Sequence, residues 1–105
     1  MTDLEIKKLC AQAIGFASIR ESVTNPVSIG VKAADWHEQD SHQRYNPLHD
    51  DAQVMALVKE FDIQIEGWSG DRSVYILNAA HFVSTDKDDL NRAIVECVAK
   101  MQAAI

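Results

Sequence analysis

Imidazoles and carboxylates between positions 37 and 50 are the side chains of this sequence best suited to binding a metal ion. His37, Asp40, His42, His49 and Asp50 offer the nitrogen and oxygen ligands that Zn²⁺ and other divalent ions accept. Their spacing matches no known ligand pattern, and His37 and His42 fall in a stretch without helical or strand periodicity. We therefore interpret the histidines as solvated loop residues and predict neither a metal nor a cofactor.

Motifs for catalysis are absent from the sequence. It has no Gly-rich phosphate loop, no Gly-x-Ser-x-Gly elbow and no His-Glu-x-x-His pair. Its aspartates cluster where helices are predicted to start, so the helix dipole explains them without any acid–base role. Cys10 and Cys97 fall on apolar helix faces, which indicates buried, reduced thiols rather than a disulfide. We predict no catalytic residue and do not expect an enzyme.

A polar stretch at residues 35–46 is the leading candidate for a binding surface. About a dozen residues without periodicity are long for a connection inside one domain, and such loops often carry function. Trp36 and Tyr45 are aromatic anchors of the kind that dominates protein interfaces. The acidic residues between them are Asp35, Glu38 and Asp40. The hypothesis is a surface that recognises a protein partner; the alternative is that the aromatics pin the loop to the core.

A second hypothesis is a small-molecule or nucleotide site in a pocket between sheet and helices. Its anion donors would be Arg72, Arg92 and the backbone amides at a helix start near Asn46. Arg92 has an alternative role as an ion-pair partner of Asp88 or Asp89. A concave pocket lined by arginines would favour this hypothesis over a flat surface of aromatic and acidic residues.

Composition and charge narrow the classes of partner. The chain has 105 residues and reads as one domain, 1–105, with a net charge of −6 and its basic residues scattered. Such a chain is repelled by phosphate backbones, so non-specific binding of nucleic acid is disfavoured. We find no signal peptide and no apolar stretch that could span a membrane. The expected location is the cytosol, and a homodimer is compatible with the sequence.

The helices are the clearest elements in the pattern. A first helix is predicted at Asp3–Ile14, with a capping box formed by Thr2 and Glu5 and an end at Gly15. A second is predicted to start at Asn46-Pro47, with a buried stripe made of Leu48, Ala52, Met55, Val58 and Phe61, widened by Val54 and Leu57. A third begins near residue 90, with Ser84 or Thr85 as its cap. Its buried stripe is Leu90, Ala93, Ile94, Cys97, Val98 and Met101, which leaves Val95 facing away.

Strands are predicted where apolar residues alternate. Residues 27–32 make one, residues 63–68 a second that includes Trp68, and residues 72–77 a third after a turn at Ser69-Gly70-Asp71. Trp68 is expected to be mostly buried. Residues 81–83 either extend the sheet or cross over it. The predicted fold is α+β, with three helices packed on a small antiparallel sheet of about three strands in the order α-β-α-β-β-α.

Two segments resemble a known family of bacteriophage proteins. Residues 45–65, which open on Asn46-Pro47, resemble the central block of the NinX-like phage proteins, which look related to the phage α-β-α sandwich domain. Residues 89–101, with their Arg92-Ala93-Ile94 start, are similar to that family's closing helix. The resemblance implies a phage or prophage origin and a compact helix-sheet-helix fold. In the binding hypothesis the partner is a host or phage protein, met in the cytosol of the bacterial host. It implies no catalytic residues, because the family has no established function.

Overall fold

The computed structural model describes residues 2–21, 29–32, 43–67, 72–76, 81–85 and 90–105, with residues 72 and 81–85 described through their backbone alone. In chain order the elements are α1 (Asp3–Ile14), β1 (Ser18–Glu21), β2 (Ile29–Lys32), β3 (Gln43–Tyr45), α2 (Asp51–Phe61), β4 (Gln64–Glu66), β5 (Arg72–Ile76), β6 (His81–Thr85) and α3 (Leu90–Ala103). Helices and antiparallel sheets in this arrangement form an α+β fold, which confirms the predicted class.

Helix α1 begins and ends where the sequence predicts. The Thr2 hydroxyl accepts a hydrogen bond from the Glu5 N–H at 3.2 Å and so satisfies one of the free amides at the helix start. At the other end Gly15 has a φ of 94°, a left-handed conformation that glycine adopts at no steric cost. Its N–H donates back to the carbonyl of Ala11, which closes the helix.

Helix α2 begins at Asp51, later than predicted, because Asp50 rather than Asn46 is its N-cap. The Asp50 carboxylate accepts from the Gln53 N–H at 3.0 Å. A charged acceptor at the positive end of the helix dipole makes a stronger cap than the neutral Asn46 amide. Pro47 instead lies in a turn before the helix, closed by the Asp50 N–H donating to the Asn46 carbonyl at 2.9 Å.

In the described part of the chain six strands form two three-stranded sheets, where one sheet of about three strands was expected. In sheet A, with order β1-β2-β3, the central strand β2 contributes Ile29 and Val31 to the core, as its alternation predicts. In sheet B, with order β4-β5-β6, strand β6 extends the sheet and does not cross over it. Ser84 and Thr85 lie in β6, so neither caps helix α3.

Strands β1 and β3 are the ones that sequence reasoning missed. Each is four residues or shorter and mostly polar, so neither shows the period-two alternation of a half-buried strand. Both form because they can pair with β2, Ile19 opposite Val31 and Tyr45 opposite Ile29. The polar stretch at residues 35–46, which was predicted to be a loop, therefore contains a strand at residues 43–45.

Helix α3 lies at the centre of the molecule. It packs on β5 and β6 of sheet B along one side and on helices α1 and α2 along the other. Sheet A is joined to this core through α1, which packs on β2. Six residues of α3 are buried, in a run from Ala93 to Ala99 interrupted by Glu96. The helix is therefore buried around most of its circumference, more than an amphipathic surface helix would be.

The predicted faces of two helices, α3 and α2, need correction. Val95 was expected to face away from the core, yet it has no exposed surface because a second layer of helices covers that side of α3. In α2 four of the expected apolar residues pack in or against the core, as predicted: Val54, Leu57, Val58 and Phe61. Ala52 is instead exposed, and Met55 keeps 49% of its surface exposed. The four packed residues are spaced three and four positions apart and so share one face of α2, and Ala52 and Met55 lie outside that face.

Candidate binding groove

Most of the predicted binding loop falls outside the described residues. Asp35, Trp36, Glu38 and Asp40 lie there, together with the metal candidates His37 and His42 and with Trp68. Tyr45 is described and is only 4% exposed. Its ring packs edge-on against Phe16, with ring centroids 5.4 Å apart. Tyr45 is therefore a core residue that holds β3 in place, and this corrects its assignment to a recognition surface.

The Tyr45 hydroxyl is buried and has no hydrogen-bond partner among the residues that the structure describes. Burial raises the pKa of this phenol, and the neighbouring Cys10 thiol raises it further. An unpaired buried hydroxyl costs free energy, because the water it loses on folding is not replaced. The ring, rather than the hydroxyl, is therefore what stabilises the fold at this position.

An open groove lies between sheet A and helix α2, next to Tyr45. It has a volume of about 420 Å³. The buried side chains of Val31 and Tyr45 lie among its lining residues, with Ile14 and Phe16 contributed by the end of α1 and the residues after it. Two exposed alanines of α2, Ala52 and Ala56, complete the apolar lining. We call this the apolar groove. Its remaining lining residues are Gln43, Arg44, Asp50 and Gln53.

A polar recess of about 470 Å³ adjoins the apolar groove. The two share Arg44, Asp50 and Gln53, and the recess adds Asn46 and His49. The Asn46 side-chain oxygen is buried and accepts no hydrogen bond. His49 and Asp50 are the only members of the metal hypothesis in the described part of the chain, where no three His, Cys, Asp or Glu side chains come together as a metal site requires.

Gln53 joins helix α2 to the end of strand β3. Its side-chain Nε2 donates to the Arg44 carbonyl at 3.0 Å, and its Oε1 accepts from the Asn46 N–H at 2.6 Å. An amide that bonds the carbonyl of one residue and the N–H of the second residue after it mimics the pairing of a neighbouring parallel strand. The outer edge of β3 is therefore occupied by a side chain of α2, which is one way proteins protect an edge strand.

Gln53→Ala should lower the free energy of unfolding by about 1–3 kcal/mol, because both backbone groups at the β3 edge lose their partner. It should also increase self-association, since the freed edge can pair with a second chain. Urea unfolding and sedimentation velocity measure the two effects. Gln43→Ala is the matched control, because Gln43 is an exposed residue of the same strand. Equal stability of the two variants would show that the Gln53 side chain does not stabilise the edge of β3.

Arg44 brings a positive charge to both the groove and the recess. Between described side chains, the ion pairs join Lys8 to Glu21 and Arg92 to Asp3 and Glu96, so Arg44 is in none of them. Its charge is felt by Lys7 of α1. The pKa of Lys7 is lowered mainly by burial and further by Arg44, while Asp3 opposes the shift. Arg44 therefore adds a positive charge to a lining whose one acidic residue is Asp50.

The anion donors of the nucleotide hypothesis are mostly engaged elsewhere. Arg92 pairs with Asp3 and Glu96 at 3.0 Å each, whereas the expected partners Asp88 and Asp89 lie outside the described residues. The Asn46 N–H is bonded to Gln53, and the helix start nearby already holds the Asp50 carboxylate. The Arg72 side chain lies outside the described residues. The groove and its arginine, Arg44, are features that sequence reasoning did not identify.

The spacing of Asp50 and Gln53, an N-cap residue followed three positions later by glutamine, is the sequence signal for the observed start of α2. Asn46-Pro47 is also favourable for a helix start by residue type, so the sequence contains two competing starts for α2. Arg44, Ala52 and Ala56 carry no such signal, because an arginine between a glutamine and a tyrosine, or two alanines on a helix, is ordinary sequence.

Cys10 and Cys97 are both buried thiols outside any disulfide, as predicted. The Cys10 Sγ–H donates to the Val95 carbonyl at 3.3 Å, which ties α1 to α3. Burial raises the pKa of Cys10 to about 12 and also raises that of Cys97. Both side chains therefore remain thiols near neutral pH, and a thiolate nucleophile is not available at either position.

None of the helices in the described part of the chain has the length and apolar character needed to cross a bilayer.

Comparison with protein-family models, with curated proteins and with solved structures finds no match for this chain. The resemblance of residues 45–65 and 89–101 to the NinX-like phage proteins therefore stays a prediction.

Proposed function

We propose that this protein acts by binding another protein and performs no catalysis. The observation that carries the proposal is the apolar groove beside α2, an open concave surface lined by aliphatic and aromatic side chains. Met55 of α2 lies close to the lining residues Ala52 and Ala56 in sequence and is 49% exposed. Methionine is flexible and polarizable, so it adapts to a partner's surface. Apolar surface left open in this way is typical of an interaction site.

The sequence hypothesis of a recognition surface is therefore retained with a different location. The groove is formed at the end of the polar stretch, where β3 meets α2, and it uses Tyr45 as a buried support rather than as a contact residue. The proposed role is that of a phage or prophage accessory protein, which works in the cytosol of a bacterial host on a host or phage partner.

A nucleotide-binding function has less support. Of its three expected anion donors, Arg92 and the Asn46 amide have partners within the chain. A phosphate placed at the start of α2 would also meet the Asp50 carboxylate, which already occupies the helix N-terminus. The apolar lining of the groove fits side chains better than phosphates.

Filling the groove should abolish partner binding without affecting the fold. We expect Ala52→Gln combined with Ala56→Gln to weaken binding at least about 30-fold, which corresponds to the roughly 2 kcal/mol that defines a hot spot. Both alanines are exposed, so the melting temperature should stay near that of the wild type. The measurement is isothermal titration calorimetry with a purified partner obtained by affinity purification from host cells.

The matched control is Ala103→Gln combined with Ala104→Gln, which makes the same two changes at exposed positions near the end of α3. This control should bind the partner as tightly as the wild type does. Equal affinity of the groove variant and the control would contradict the proposal.

A further inference from the structure

We infer that the apolar groove binds an amphipathic helix of the partner, with its aliphatic side chains in the groove and a carboxylate beside Arg44. This inference rests on the proposed function and adds the chemistry of the partner. Three features of the described residues lead to it: the closed edge of β3, the open shape of the groove, and the unpaired arginine among its lining residues.

The closed edge of β3 argues against binding by strand addition. A partner that extended sheet A at this strand would need the Arg44 carbonyl and the Asn46 N–H, and the Gln53 side chain already bonds both. A helix makes its own backbone hydrogen bonds and needs only an apolar surface to lie on. Helix-in-groove binding is therefore the mode that this surface leaves available.

The shape of the groove favours a helix over a small molecule. Sites for small molecules enclose most of the ligand's surface, whereas this groove is open on one side. On the α2 side its lining consists of Ala52 and Ala56. These short side chains let the backbone of a second helix approach closely, as small residues do where helices pack tightly together.

Charge decides which amphipathic helix fits best. Arg44 is a lining residue of the groove and pairs with no acidic side chain among the described residues. Asp50, the one acidic residue of the lining, is engaged as the N-cap of α2. A carboxylate from the partner would pair with the Arg44 guanidinium and also reduce its repulsion of Lys7. The net charge of −6 does not prevent this contact, because at physiological ionic strength charges more than about 8 Å apart are largely screened.

Three synthetic helical peptides test the inference. Each carries leucines at positions i, i+3, i+4 and i+7, and its remaining positions are glutamate in the first, glutamine in the second and lysine in the third. Binding is followed by chemical-shift changes in the protein's backbone amides. We expect the glutamate peptide to shift the amides of Ile14, Ala52 and Ala56 and to bind about fivefold tighter than the glutamine peptide. The lysine peptide should be the weakest.

Arg44→Gln is the decisive variant. It should remove the preference for glutamate over glutamine and leave the affinity for the glutamine peptide unchanged. Arg20→Gln is the matched control, since Arg20 is an exposed arginine of the same sheet and lies outside the lining of the groove. The control should keep the full fivefold preference.

The outcomes separate this inference from the proposed function. If the glutamate and glutamine peptides bind equally and both are lost when Ala52 and Ala56 are changed to Gln, the charge inference fails and groove binding stands. If no peptide shifts the groove amides, the inference and the proposed function both fail. Both also fail if the variant with Ala52→Gln and Ala56→Gln binds the peptides as well as the wild type does. Decanoate is the fourth probe, and shifts caused by decanoate but by no peptide would replace the helical partner with a small anionic amphiphile.

Discussion

Val95→Asp is expected to unfold the protein. Val95 is fully buried in α3, at the point where its carbonyl also accepts the Cys10 thiol hydrogen bond from α1. An aspartate there loses the apolar contacts of the valine and buries a carboxylate with no partner. We expect a loss of about 5 kcal/mol or more, which is comparable to the whole stability of a small domain. Circular dichroism during thermal melting measures it.

Met55→Asp is the matched control for this prediction. It places the same carboxylate on a helix, at a position that keeps 49% of its surface exposed. The change should cost no more than about 1 kcal/mol, since only helix propensity and partial burial are lost. A cooperative melt of Val95→Asp near the wild-type temperature would show that the far side of α3 is open to water, as the sequence pattern suggested.

Tyr45→Ala is expected to lower the free energy of unfolding by roughly 3–5 kcal/mol, the usual cost of truncating a buried aromatic side chain. The ring is 4% exposed and packs against Phe16, so its removal leaves a cavity between sheet A and α1. Urea unfolding followed by circular dichroism measures the loss. A loss below about 1 kcal/mol would instead support the hypothesis that Tyr45 belongs to a surface that recognises a protein partner.

Tyr45→Phe separates the ring from its hydroxyl. Because the hydroxyl is buried without a partner, removing it should leave the stability unchanged or raise it by up to about 1 kcal/mol. A loss of more than about 1 kcal/mol in Tyr45→Phe would show that the hydroxyl is bonded in solution. The comparison thus tests both the position of the ring and the environment of its oxygen.

Local sequence signals were sufficient to predict the bounds of α1 and the presence of β2. The bounds of α1 follow from Thr2, Glu5 and Gly15, because a cap and a left-handed glycine act within one turn of the residues they terminate. The alternation of Ile29 and Val31 likewise identified β2, since a strand with one buried face has a period of two. The α+β class follows from these elements and the helical pattern of α3.

Only the tertiary structure decided which helices are buried on more than one side. Val95 and Met55 have similar hydrophobicity, yet one has no exposed surface and the other is half exposed. The difference arises because α1 and α2 cover the far side of α3, whereas the corresponding face of α2 is left open. A periodic pattern shows one apolar face of a helix, and it cannot show how many neighbours will pack on that helix.

The apolar groove was likewise decided by the tertiary structure and not by local sequence patterns. Strand β3 is too short and polar to be predicted, and it exists because β2 and the Gln53 side chain satisfy its backbone from the two sides. The groove then forms where β3, α2 and the end of α1 meet, from residues between positions 14 and 56. Composition, charge and the helix caps were determined by the sequence alone. The groove and the exposure of Arg44 beside it depend on contacts between residues distant in the chain, which local patterns do not encode.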